Sequence, residues 1–507
     1  NADNDLQALI TGNTSIVSTH TSQIATLDNQ IHAGAGLTVP NMPTEVSRWV
    51  YQDQYILTTS GGTTDVPYGH ALLFDANAPL SPPTVLSPEG FGIHVGGAGA
   101  MNNPRVAKII RDKVVVGYPY ADPGNMYDAG QVFVWDLNDL SADPVVLSRY
   151  GQGLTTSDYF GWSVTGSADH NYIIVGEFGQ DYTGSYGADS GRVYLYDINN
   201  LTNQPIILDP NKSEDPAFWT QQSNSHQFGR FVHVDGDYLY VTIAGYHGSG
   251  GNAYNSYIAV YDLNDIQSSP AFLYPPNTMY TDVQDDNYFG WFTNGVAFNN
   301  NYVAVGSQEG PKVGYDALET RHGTVYVYAK NADGHAEGSG TEVYTLQSPD
   351  SQQTDKFGRS VAMDDTRLYV GSYGWDGAQG SNVGKVDVFD LSDGSHIQTI
   401  YAYDGNANDY FGYNLDVNGG KLVVSAHGDD DNGNTSGSLY IYDTSALSGI
   451  PIKVSESFVG MDTSNLGSYD LGLTVASGAV EIKEIIIPNA SLSDGINYLE
   501  GKTEELK

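Results

Sequence analysis

The sequence has 507 residues and no cysteine, with 21 lysines and arginines against 60 aspartates and glutamates, a formal charge of −39. These figures exclude a disulfide framework, a thiol nucleophile and a thiolate metal site, and the lack of a basic patch excludes phosphate-backbone recognition of nucleic acid. No run of about eighteen apolar residues is present, so no membrane insertion by a helix is expected, and the acidic excess suits a salty medium or bound divalent cations.

At the N-terminus, residues 1–37 carry Ile10, Val17, Ile24 and Ile31 at seven-residue intervals, with Leu6, Asn13, His20 and Leu27 between them. Labelled a and d, these positions predict a coiled-coil helix of about four heptads. Asn13 and His20 at d do not suit a tight dimer core, whereas three such side chains meet on the axis of a trimeric stalk. A homotrimer is therefore the expectation, with a single amphipathic helix packed on the rest of the chain as the alternative. Gly12 and the many Thr and Ser residues make a poor isolated helix, so folding is expected only on assembly.

Residues 38–455 are built from one repeated phrase. Its clearest copy starts at Phe160-Gly161-Trp162-Ser163-Val164, passes through Tyr172-Ile173-Ile174-Val175-Gly176 and closes on Gly191-Arg192-Val193-Tyr194-Leu195-Tyr196-Asp197. The Phe-Gly anchors stand at Phe91, Phe160, Phe228, Phe289, Phe357 and Phe411, spaced by 69, 68, 61, 68 and 54 residues. Each copy holds four short runs rich in Val, Ile, Tyr and Phe, which read as strands. In the last copy these are Phe411–Val417, Lys421–Ala426, Ser438–Tyr442 and Ile450–Val454, with Asn418-Gly419-Gly420 as a hairpin turn between the first two.

The third strand ends at Asp75, Asp136, Asp197, Asp262, Asp390 or Asp443, where a carboxylate can accept from the backbone N–H two residues on; Ala329 breaks the pattern. Upstream of the first Phe-Gly, Val46–Tyr51, Tyr55–Ser60 and Gly69–Asp75 match a copy that has lost its anchor. Four strands per unit is a propeller blade. The expected fold is thus all-β, a seven-bladed β-propeller, with six blades as the alternative.

The sequence Phe-Gly, hydrophobic strand, Val-Gly, acidic loop, Gly-x-Val-Tyr-x-Tyr-Asp resembles the FG-GAP repeat family. Integrin α-subunit heads and many microbial surface proteins carry such repeats. The resemblance implies a propeller over about four-fifths of the chain and leaves function open, since propellers host binding, scaffolding and catalysis alike.

Loops between the second and third strands supply the site candidates. The run His427-Gly428-Asp429-Asp430-Asp431-Asn432-Gly433-Asn434 offers Asp429, Asp430, Asp431 and Asn432 as oxygen ligands for Ca²⁺, with solvated turns as the alternative; related loops hold Asp122, Asp128, Asp181, Asp189 and Asp376. Aspartates ahead of the anchors, Asp158, Asp285, Asp286, Asp355 and Asp409, are expected to bond turn N–H groups. Loop aromatics, among them Tyr120, Tyr182, Tyr246, Tyr373 and Trp375, are candidates for a binding face: aromatic platforms beside Asp and Asn suit sugars and protein partners. No H-E-x-x-H or G-x-S-x-G pattern appears, and no catalytic residue is assigned.

In the C-terminal segment 456–507, Leu471–Val475 and Ala479–Ile487 predict two strands of a small β segment for assembly. An oligomerising stalk followed by a large acidic β-domain resembles the organisation of a phage tail fibre or other virion appendage. The expectation is a non-enzymatic virion or surface protein, with other structural proteins, a host glycan or a host surface protein as partners. A Ca²⁺-dependent adhesion or matrix propeller and a polysaccharide lyase or hydrolase are the alternatives.

Overall fold

Apolar runs too short for ordinary helices, bounded by Gly, Asn and Asp, become strands throughout the described chain. A computed structural model describes residues 46–52, 55–60, 70–75, 83–88, 106–147, 149, 156–180, 190–209, 227–244, 256–276, 289–290, 295–309, 322–338, 340–430 and 437–455. All of these fall in the unit Pro40–Pro79 and Pro83–Glu456. The expected coiled coil of 1–37, with Leu6, Ile10, Asn13, Val17, His20, Ile24, Leu27 and Ile31, lies outside the described residues, as does the expected C-terminal β segment of 456–507.

The strands form seven antiparallel sheets, each of four consecutive strands. Blade 1 is β1 (Val46–Gln52), β2 (Tyr55–Ser60), β3 (His70–Asp75) and β4 (Thr84–Leu86); blade 2 is β5 (Val106–Ile110), β6 (Lys113–Tyr118), β7 (Gln131–Asp136) and β8 (Val145–Val146). Blade 3 is β9 (Ser163–Ser167), β10 (Tyr172–Glu177), β11 (Arg192–Asp197) and β12 (Ile206–Leu208). Blade 4 is β13 (Val232–Asp235), β14 (Tyr238–Ala244), β15 (Ser256–Asp262) and β16 (Ala271–Leu273). Blade 5 is β17 (Val296–Phe298), β18 (Tyr302–Ser307), β19 (Thr324–Ala329) and β20 (Glu342–Leu346). Blade 6 is β21 (Val361–Met363), β22 (Arg367–Ser372), β23 (Lys385–Asp390) and β24 (His396–Ile400). Blade 7 is β25 (Phe411–Asn418), β26 (Lys421–Ala426), β27 (Ser438–Asp443) and β28 (Ile452–Ser455).

Successive blades pack side by side, and β25 lies against β1, so blade 7 closes on blade 1. The protein is a seven-bladed β-propeller, and the degenerate first copy is a complete blade rather than a six-blade remnant. Among the described residues no helix is long and apolar enough to cross a membrane.

Blade stacking explains why the third strands read as nearly continuous apolar runs rather than alternating ones. Five of the six residues of β11, β19 and β27 are buried, because both faces of an interior strand meet neighbouring blades. Leu57, Leu73, Phe133 and Trp135 share the core between blades 1 and 2, and Ile174, Leu195, Leu239 and Tyr261 share that between 3 and 4. The abundant tyrosines suggest an aromatic surface, yet many belong to these cores. Tyr118, Tyr194, Tyr196, Tyr240, Tyr328, Tyr369 and Tyr440 are each less than 2% exposed.

The anchor phrase is an inter-blade clasp. Phe160, Phe228 and Phe411 are buried, and each donates its backbone N–H at 3.0 Å to the residue before the glycine that opens the third strand of the preceding blade (Ala129, Ser190 and Val383). That glycine then pairs with the phenylalanine in a parallel bridge, as Gly191 with Phe228 and Gly384 with Phe411. The expected strand-exit bonds are also present: Asn138, Asn199, Asn264, Ser392 and Ser445 donate N–H to Asp136, Asp197, Asp262, Asp390 and Asp443 at 2.8–2.9 Å. Gly419 and Gly420, at φ 53° and 75°, make the tight turn between β25 and β26.

Candidate binding face

Four antiparallel strands per blade deliver two kinds of segment to the same end of each blade. One is the loop between second and third strands; the other is the linker that brings the outer strand of one blade to the Phe-Gly of the next. The turn around Phe-Gly is tight. Trp162, Arg230, Arg359 and Tyr413 donate N–H to the carbonyl three residues back, and the residue before each phenylalanine holds positive φ: Tyr159 57°, Gln227 48°, Lys356 61° and Tyr410 58°.

This geometry gathers aromatic rings and arginines where blades meet. Tyr159 stacks on Phe178 at 5.0 Å between centroids, and Trp162 meets Phe178 edge-on at 4.6 Å. Tyr120 joins this group at 5.8 Å from Tyr159 and 6.0 Å from Trp162. From blade 4, the Arg230 guanidinium lies 5.2 Å over Trp162 and 4.8 Å over Phe178, where a cation meets the negative faces of the rings.

Blades 6 and 7 repeat the arrangement. Tyr410 stacks on His427 at 4.8 Å, Tyr373 meets Tyr413 at 5.0 Å, and Arg359 lies 4.5 Å over Tyr413. Burial, and then the Arg359 charge, hold the His427 imidazole down at about 4. Trp162 and Tyr413 both pack between blades.

The binding-loop candidates therefore separate. Tyr120 and Tyr373 are half-buried members of the two clusters, while Tyr182 and Tyr246 lie outside the described residues. Trp375 opens a third group: its ring lies 5.1 Å from Tyr401, and its indole N–H donates to Asp350 at 3.1 Å. Tyr401 is 46% and Tyr403 53% exposed, the latter 6.1 Å from Tyr440. Sequence reasoning missed Tyr401 and Tyr403; their place in the linker before Asp409-Tyr410-Phe411 was the available signal. Away from this end, a polar cavity of about 330 Å³ is lined by His170, Asn171, Tyr172, Asp197, Asn199 and Gln204 among others.

Of the described loop acids, Asp122 and Asp376 have defined partners. Asp122 Oδ1 accepts from the N–H of Asp128 at 2.7 Å, and Asp376 Oδ1 from that of Asn382 at 2.8 Å, so each carboxylate closes its own loop six residues on. Burial, and then the Asp122 charge, push Asp128 up to about 6. Of the anchor aspartates, Asp355 accepts from Gln352 N–H at 2.8 Å and Asp409 from Asn406 N–H at 2.6 Å, as expected. Burial raises Asp355 to about 6. Asp158 pairs with Arg149 at 2.7 Å. Arg149 also holds Glu177, whose other oxygen accepts from the Tyr194 hydroxyl at 2.5 Å. Burial outweighs the pull of Arg149 and pushes Glu177 up to about 7.

Of the four proposed Ca²⁺ ligands, Asp429 is buried and Asp430 exposed, while Asp431 and Asn432 lie outside the described residues. Asp429 Oδ2 lies 2.8 Å from the Lys453 ammonium and 2.9 Å from the Tyr440 hydroxyl. Among the described residues no three His, Asp or Glu side chains are grouped as metal ligands would be.

Two segments, residues 341–389 and 395–442, match the family described as FG-GAP repeat. Both segments resemble FG-GAP repeats. Each match runs from the outer strand of one blade through the third strand of the next, so the repeat straddles a blade junction with the Phe-Gly clasp inside it. Among solved structures, the computationally designed Ika8 protein aligns at 12% identity over 82% of this chain and 88% of that chain, with a TM-score of 0.43. The β-propeller domain of the Trilobed protease from Pyrococcus furiosus, described as having an open velcro topology, aligns at 9% identity over 81% and 97%, with a TM-score of 0.45. No curated protein matches the chain.

Proposed function

We propose that this chain is a non-enzymatic attachment protein of a virion fibre or other surface appendage, and that its FG-GAP propeller presents the loop end to a host glycan, a host surface protein or a neighbouring structural protein. The observation that carries this reading is the group Trp375, Tyr401 and Tyr403. Among the described residues of this end, Tyr120, Tyr159, Trp162, Tyr373 and Tyr413 are drawn into blade junctions, whereas Tyr401 and Tyr403 keep about half of their surface in water and Trp375 is only partly buried. Rigid aromatic rings with a polar edge give a large contact area at small entropy cost, the recurrent chemistry of glycan and protein recognition. Assembly as a homotrimer through residues 6–31 belongs to the same reading, since it multiplies weak contacts into avidity.

The test is binding of the labelled full chain to host cell surfaces or immobilised glycans, compared with Trp375→Ala/Tyr401→Ala. A loss of at least about tenfold in affinity is expected from removing two central aromatics. Unchanged binding by the variant would place attachment elsewhere. Light scattering on the full chain and on a version lacking residues 1–37 reads the assembly: a trimer that becomes a monomer on truncation supports it, and a monomer in both cases refutes it.

A further inference from the structure

The blade 7 loop has an acidic sequence that suits a divalent cation, yet the buried part of that loop already holds a positive charge. Lys453, in β28, reaches under the loop with its ammonium 2.7 Å from Asp404 Oδ2 and 2.8 Å from Asp429 Oδ2. The Tyr440 hydroxyl lies 2.8 Å from Asp404 Oδ1 and 2.9 Å from Asp429 Oδ2, tying the two carboxylates together from the other side. Asp429 is 1% exposed and the Lys453 side chain 10%. Cross-strand register fixes the arrangement, because Tyr440 and Lys453 are direct partners of β27 and β28. The loop is also closed by its own backbone: Gly437 N–H donates to the Asp429 carbonyl at 2.8 Å, and Gly428 N–H to that of Asp409 at 3.1 Å.

We propose that the Lys453 ammonium is the resident cation of this loop, standing where a divalent ion would otherwise neutralise Asp404 and Asp429, so that blade 7 closes onto its linker without calcium. Ca²⁺ requires six to eight oxygens. Here the inner oxygen of Asp429 faces a fixed ammonium, and a second cation on it would be repelled at contact distance in a poorly solvated site. The described residues do not fit the ion.

The same device recurs one blade earlier, which argues against accident. Lys385, wholly buried, pairs with Asp350, lies 3.5 Å from Asp387 and donates to Ser348 at 2.6 Å. Asp350 and Asp404 both stand seven residues before the phenylalanine of their anchor. In blades 6 and 7, then, the linker supplies the acid and the blade a lysine, wholly buried at Lys385 and largely so at Lys453. At blade 3 the polarity is reversed, with Arg149 of the linker meeting Glu177 of β10.

Calorimetric titration of the full chain with CaCl₂ tests the assignment, comparing wild type with Asp429→Asn, which keeps the shape of the side chain. An equal number of calcium ions bound by both is expected; one ion fewer in the variant would overturn the proposal. If Asp429→Asn does not fold, Lys453→Arg gives the same comparison, and an additional calcium site in it would be equally fatal. Lys453→Met supplies an independent reading through its melting temperature. Calcium is expected to raise it by more than it raises that of wild type, and equal shifts in the two proteins would show that the ammonium does not stand at a cation position.

Discussion

Gly384 shows how far single residues carry this fold. It sits at φ 85°, and a Cβ added there would lie 2.1 Å from the Phe411 carbonyl oxygen, a backbone atom that cannot move without opening the clasp between blades 6 and 7. Gly384→Ala is expected to cost at least about 3 kcal/mol, from backbone strain and clash together. Chemical denaturation measures it, and a loss below about 1 kcal/mol would show that the clasp yields. Glu177 makes a pH prediction. Its carboxyl, raised from 4.5 to about 7, keeps a proton in the folded state that the unfolded chain has already released between those values. Its contribution to stability is therefore full below the unfolded pKa and lost as pH rises through about 7. Melting temperatures at pH 5 and pH 8 should fall less for Glu177→Gln than for wild type. His427, lowered to about 4, has the opposite slope at acid pH but is common to both proteins and cancels in the difference.

At the level of the strand, legibility followed burial. The third strands could be read from sequence to within a residue, aspartate exits included, because stacked blades demand apolar residues on both faces and the exit turn demands an Asx bond. Blade 1 was legible without its Phe-Gly for the same reason, through Ala71-Leu72-Leu73-Phe74. Outer strands were harder: β8 is two residues long, and Val145 and Val146 are both exposed, so packing imposes little pattern. The candidate binding face was legible only in part. Tyr120 and Tyr373 lie in the loops expected but pack inward, while the charge pairs escaped notice because each joins a linker to a distant strand, as Asp404 does to Lys453 across 49 residues. The contrast between strands is measurable. Leu422→Ala, fully buried in β26, is expected to cost about 2–5 kcal/mol. Ile450→Thr, 63% exposed just before β28, is expected to stay within about 0.5 kcal/mol. Comparable losses at both sites would contradict the burial gradient from ring interior to rim.

For the molecule as a whole, the charge of −39 is the largest unbalanced term. Several of the basic residues, Arg149, Lys330, Lys356, Lys385 and Lys453, are engaged in buried or part-buried ion pairs with acids, leaving much of the negative charge to repel itself across the surface. Raising NaCl from about 10 mM to about 300 mM shortens the screening length several-fold and should raise the melting temperature, because the repulsion is more exposed than the pairs. A fall would mean that the pairs dominate. The ring has one further property of this kind. Among the described residues every blade keeps its four strands to itself, and no phenylalanine precedes β1 in the sequence, so the junction of blades 7 and 1 has no Phe-Gly phrase of the kind that clasps blade 7 to blade 6. Val46 and Ser455, the ends of the described ring, belong to the two blades that meet there. A tension applied between them crosses no shared hydrogen-bond ladder. Under mechanical load the circle is expected to part at this seam first and become a string of blades, each still folded; in force spectroscopy that would appear as a lengthening before any sheet unfolds.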